Sequence, residues 1–195
     1  MPRAAAIPTA ERRAHAVQAL LDLARTTAPD QISTAAIAER MGVSHGALFR
    51  HFPNREALWA AAVHWATTEL DGRFDACDQP GPLEQVEALM ACHAAMLAEH
   101  PGLVRMLFAE LQRPATSPAR ETGKAFMQRF RQRLAHRIAA AQGEGGVDGQ
   151  CEPEDLAALL VATQQGLVLQ ALAHDSFPDL AERSRRSVRL FLSRL

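Results

Sequence analysis

Between positions 34 and 55 the chain gathers side chains suited to a polyanion: hydroxyls at Thr34 and Ser44, imidazoles at His45 and His51, and guanidinium groups at Arg50 and Arg55. Hydroxyls and unpaired N–H groups at helix N-termini bind phosphates, while His and Arg donors reach base edges in a groove. The same stretch also spells a rival chemistry. Gly42-Val43-Ser44-His45-Gly46 satisfies G-x-S-x-G, the turn that presents a serine nucleophile between a buried strand and a helix. Residues 35–41 read as helix, so Ser44 is expected to cap a helix and not to attack a substrate. Other catalytic signatures do not occur: there is no H-E-x-x-H, the single lysine, Lys124, lacks the first P-loop glycine, and Gly143, Gly145, Gly146 and Gly149 miss the G-x-G-x-x-G spacing. No catalytic residue and no cofactor are therefore expected. Cys92-His93 joins two metal-ligating residue types, but sequence neighbours point to different sides of a helix and no i, i+4 ligand pair accompanies them. No metal is expected, and His93 reads as a polar group lining a cavity or satisfied within a helix.

The elements that must position these groups are helices. Alanine is abundant, Tyr is absent, and apolar residues recur at spacings of three and four, so the fold class is all-α. A first helix runs from Thr9 to before Pro29 with Val17, Leu20, Leu21 and Ala24 on one face. Residues 34–41 and 44–52 then form two short helices separated by Gly42, with Pro53 ending the second. That is the pattern of a helix-turn-helix, and equally of a plain helical corner in a bundle. In the first reading Val43, Leu48 and Phe52 are buried, His45, Ala47 and Arg50 project outward, and Gly46 lets a backbone approach closely. A fourth helix spans 55–74. Beyond the Gln79-Pro80-Gly81-Pro82 punctuation, helices are expected at 82–100, 103–112, 118–142, 153–174 and from Asp179 onward, with a loop at 143–149.

Bulk charge points to no partner, since 21 Lys and Arg face 22 Asp and Glu over 195 residues. Locally, residues 1–58 hold seven arginines against five acids. Arg3 adds a donor in an N-terminal arm. Three widely spaced cysteines, Cys77, Cys92 and Cys151, fit reduced thiols, and the longest apolar runs, 57–63 and 156–162, are only seven residues. A cytoplasmic protein with no membrane partner is expected.

The run Ile37-Ala38-Glu39-Arg40-Met41-Gly42-Val43-Ser44-His45-Gly46-Ala47-Leu48-Phe49-Arg50-His51-Phe52, continuing through Arg55, Glu56 and Leu58, resembles the signature of TetR/AcrR-family transcriptional regulators. The resemblance covers about the first third of the chain. It implies a helix-turn-helix DNA-binding domain over 1–55 and a helical ligand-binding and dimerisation domain over 56–195. DNA contacts would come from Thr34, Ser44, His45, Gly46, Ala47, Phe49, Arg50, His51 and Arg55. Phe49 stands where the family usually carries Tyr, which removes a hydroxyl that commonly reaches a phosphate, and Arg55 stands in place of Lys. The implied partners are a double-stranded DNA operator, a second copy of the chain and an unidentified small molecule. The implied action is repression, relieved when the ligand favours a conformation in which the two recognition helices no longer match successive major grooves, roughly 34 Å apart.

In the body, Trp65, Met96, Phe108, Phe126, Met127 and Phe130, with His93, Gln164 and Gln165 as polar groups, either line an apolar pocket or fill a core. The helix over 153–174 carries two apolar stripes and is expected to be buried nearly all round. Leu160, Val161 and Val168 there, with Val188 and Phe191 in the last helix, pack either within the chain or against a second copy, and the resemblance favours the second. Two rivals stand beside the ligand-released repressor: a TetR-like DNA-binding protein answering to a protein partner or serving a non-transcriptional role, and a helical enzyme.

Overall fold

Capping chemistry sets the first helices. In the computed structural model, which describes residues 9–77, 79–147 and 149–192, α1 (Thr9–Leu23) buries Ala16, Val17, Leu20 and Leu21. Arg3 and Leu195 lie outside the described residues. After a 3-10 turn at Pro29–Gln31, the Ser33 hydroxyl accepts from the Ala36 N–H at 3.1 Å and opens α2 (Thr34–Arg40). Gly42 ends α2 with φ +67°, a left-handed conformation that costs a glycine little, and so turns the chain into α3. α3 (His45–Phe49) starts at the Ser44 hydroxyl, which accepts from the Ala47 N–H, and stops three residues earlier than its expected end at 52. Asn54 caps α4 (Arg55–Asp75) by accepting from the Ala57 N–H at 2.8 Å. Each such cap is worth about 1 kcal/mol.

Prolines open four of the remaining helices, where a missing N–H is harmless: α5 (Pro82–Glu99), α6 (Pro101–Gln112), α7 (Pro118–Gly143) and α8 (Pro153–His174). The Pro101-Gly102 pair is therefore the first turn of α6 and not the break before it. α9 (Leu180–Leu192) completes the order. α5 lies centrally, flanked by α9 and α7, while α4 packs on α7 and α7 on α8. α1 rests on α4 and, at its C-terminal end, on the start of α6. No strand occurs among the described residues.

One expectation about α8 is corrected. Its inner stripe, Leu156, Leu160, Val161, Gln164, Val168 and Ala171, is buried, but Leu159 and Leu169 are each more than half exposed, at 51% and 53%, beside exposed Ala162, Thr163 and Gly166. By length and composition alone α8 could cross a membrane, which counting uninterrupted runs did not reveal, and 39% of its most apolar stretch is buried here. Leu160, Val161, Val168 and Val188, expected at a dimer interface, face their own core instead, and Phe191 is half-buried against it. Periodicity marked two apolar stripes on α8, and the body buries Leu156 and Leu160 of one with Val161, Gln164 and Val168 of the other, while exposed Leu159 and Leu169 lie outside both.

Candidate functional site

The N-termini of α2 and α3 meet at one exposed corner. Thr34, on the first turn of α2, brings its hydroxyl to 2.8 Å from the His45 Nε2, and the Phe49 ring stands edge-on to the same imidazole with centroids 4.6 Å apart. His45 is thus held from two sides while remaining exposed. Phe49 is 40% exposed and Arg50 is exposed as well; Ala47 is half-buried, and open space surrounds the position a Cβ would take at Gly46. Leu48 and Phe52 are buried, and half-buried Val43 packs on the same core. The outward face of α3 therefore consists of the residues whose chemistry suits a base edge.

One neighbour, Arg55, commits its side chain to the protein, and another, His51, is held through its backbone. The Arg55 guanidinium donates to the Pro29 carbonyl and lies over the Trp59 ring, so it ties the start of α4 to the turn before α2 and does not reach outward. His51 is half-buried, and its carbonyl accepts from Arg13 at 2.6 Å while that guanidinium covers the Phe52 ring at 4.3 Å. Ser44 spends its hydroxyl as a cap, with no strand before it among the described residues, so the G-x-S-x-G coincidence has none of the geometry of a nucleophile turn.

The second feature is a cavity of about 800 Å³ inside the body, bordered by α4, α5, α6, α7 and α8. His93, Phe108, Phe126, Met127, Gln164 and Gln165 line it as expected from the sequence, whereas Trp65, Met96 and Phe130 do not. Met96 is fully buried in the core, Phe130 stacks between Phe74 and His93 at about 5 Å from each, and Trp65 meets His100 edge-on beside a groove between α1 and α4. Burial pushes the His93 imidazole down to about 4, so it is neutral, and its Nδ1 has no partner. The Gln164 Oε1 accepts from the buried Ser184 hydroxyl at 2.6 Å, which leaves the Gln164 Nε2 unpaired.

Four charged lining residues escaped the sequence reading: Glu110, Arg120, Lys124 and Arg131. Glu110 is buried and accepts from Arg113 at 3.0 Å and from the Ser117 hydroxyl. The other three fall at spacings of four and seven along α7, a polar stripe that the apolar pattern of Phe126, Met127 and Phe130 overshadowed.

The two features are physically joined by α6. A Cβ at Gly102 would sit 2.2 Å from the Leu21 carbonyl oxygen, so the first turn of α6 presses on the backbone of α1. At the other end Arg113 bridges Glu110, in the cavity wall, to Glu56, in the first turn of α4, at 3.0 and 2.9 Å. Both carboxylates raise the affinity of that guanidinium for its proton.

Comparison with known proteins fixes the family. Residues 17–62 match the model of bacterial regulatory proteins of the tetR family, and residues 82–195 match that of the BetI-type transcriptional repressor C-terminal domain. The chain belongs to the TetR family. It is a TetR-family DNA-binding regulator, and α2 and α3 lie within its matched N-terminal region. Among curated TetR relatives, the nucleoid occlusion factor SlmA of Marinomonas sp. (strain MWYL1) is 24% identical over 160 residues, covering 81% of each chain. The TetR fold recurs in a TetR transcription regulator from Haloarcula marismortui, with TM-score 0.82 and 16% identity over 95% of this chain and 98% of that one. It recurs also in FadR of Bacillus subtilis in complex with stearoyl-CoA, with TM-score 0.78 and 17% identity over 93% and 98%.

Proposed function

We propose that this TetR-family regulator is a homodimeric repressor that leaves its operator when a small molecule fills the cavity of the body. The observation that carries the reading is α6: one helix forms part of the cavity wall, presses at Gly102 on α1 of the DNA-binding domain and, through Arg113, pairs with Glu56 in the first turn of α4, next to that domain. A ligand that prefers one placement of α6 biases the placement of α1 and α4, which is the differential affinity that release requires. DNA reading belongs to His45 and Arg50 on the outward face of α3, with Thr34, Gly46, Ala47 and Phe49 around them and Ser44 supplying the helix start. The α1–α3 unit ends where Asn54 caps α4, in keeping with a division near residue 55. The solved complex of FadR with stearoyl-CoA supports ligand binding by a regulator of this fold.

The curated relatives named as nucleoid occlusion factors favour a second reading, a TetR-family protein that answers to a protein partner or serves a role outside transcription. Selection of duplex sites from random DNA, followed by release assays on the selected site with a library of small apolar and amphiphilic compounds, separates the two. The repressor reading expects release by compounds whose effect is abolished when Met127→Trp fills the cavity. It also expects His45→Ala to relax the preference at one base pair by about 1 to 3 kcal/mol. Sequence-specific binding that no compound disturbs would favour the second reading.

A further inference from the structure

We infer that the cavity takes an anionic amphiphile, with its charged head, carboxylate or phosphate, at the mouth and a neutral hydroxyl or carbonyl deeper along its chain. The inference rests on reading the cavity as the regulator's ligand site. Arg120, Lys124 and Arg131 lie on the α7 side of the lining and give it a cationic edge. The carboxylate in the lining, Glu110, is buried and already accepts from Arg113 and Ser117, so it neutralises none of the three. Lys124 pairs with the exposed Glu121, which lies outside the lining, while Arg131 is exposed and makes no ion pair with a described residue. An anion at this edge gains charge-assisted hydrogen bonds at little desolvation cost.

The interior sets the opposite condition. His93 is buried and neutral with an unpaired Nδ1, and Gln164 has an unpaired Nε2; both atoms lie behind the cavity surface, and a rotation of either side chain would turn an unsatisfied hydrogen-bonding atom to a partner that brings no charge. A carboxylate there would lie against Phe126 and Val168, where an unpaired charge is costly. A hydroxyl or carbonyl satisfies the same atoms. A cationic ligand fits neither end: among the described residues no free carboxylate lines the cavity, the chain contains no Tyr, and neither Trp59 nor Trp65 lines the cavity to form an aromatic cage.

Calorimetric titration of the full chain without DNA, using decanoate, decyl phosphate, decan-1-ol and decyltrimethylammonium below their micelle concentrations, tests the head group on one constant chain. At least one anion should bind about tenfold or more tighter than the alcohol, and the cation more weakly than the alcohol; whichever anion binds tighter names the head. Arg120→Gln with Arg131→Gln should bring the anions to the level of the alcohol without changing the alcohol itself. 10-Hydroxydecanoate should bind tighter than decanoate, and equal or weaker binding would overturn the inner group. An alcohol as tight as both anions, a preferred cation, or no binding by any probe would overturn the ligand class. Anion binding that leaves the operator complex intact would keep the class and remove the release mechanism, whereas release by a cation alone would do the reverse.

Discussion

His93 makes acidity a stability variable. The unfolded imidazole takes up its proton near 6.5 and the folded one only near 4, so between these values the unfolded chain binds more protons and stability falls as the pH falls. The loss, complete by about pH 4, is on the order of 3 kcal/mol. Denaturant unfolding followed from pH 7 to pH 4 should show it, and His93→Leu should flatten the curve in that window; an unchanged slope would mean that the site opens to water on protonation. At this scale the sequence was only partly legible. The outward face of α3 followed from Leu48 and Phe52 lying four apart, but the hydrogen bond between Thr34 and His45 joins residues eleven apart on different helices, which no period encodes. Arg55 carried the right charge for a groove and found a carbonyl and an indole face inside the protein first.

At the scale of elements, the close approach of α6 to α1 is a steric statement about one position. Gly102→Ala would drive a methyl group into the Leu21 carbonyl, a backbone atom that cannot swing away, so α6 or α1 must shift. Overpacking of this kind costs about 1 to 3 kcal/mol. Thermal unfolding should register that loss, and operator affinity should change while calorimetric binding to the cavity changes less; coincident loss of both would mean that the body itself had collapsed. Helix existence was legible because Pro82, Pro118 and Pro153 mark first turns and Ser44 and Asn54 are caps. The start of α6 was misjudged because Pro101-Gly102 reads equally as a break and as a first turn. The reason it is a first turn, a glycine fitting against α1, is a tertiary fact.

For the whole molecule, the outer flank of α8 is the apolar surface that a lone protomer leaves in water. The proposed homodimer covers it. Leu159→Asp with Thr163→Asp, one helical turn apart and both exposed, should yield folded monomers by light scattering with an unchanged circular dichroism spectrum, since neither side chain supports the core. A persistent dimer would put the interface on another face. The inner residues Leu160, Val161 and Val168 cannot serve this test, because a charge there would unfold the body. Ala162, Gly166 and Leu169 lie on the same exposed flank and also border the cavity. A second copy seated on that flank therefore finishes the wall that encloses the ligand, and a ligand in place extends the surface on which the second copy sits. By thermodynamic reciprocity each would strengthen the other equally, so under the proposed function the concentration of the protein itself would set the threshold at which it senses a ligand.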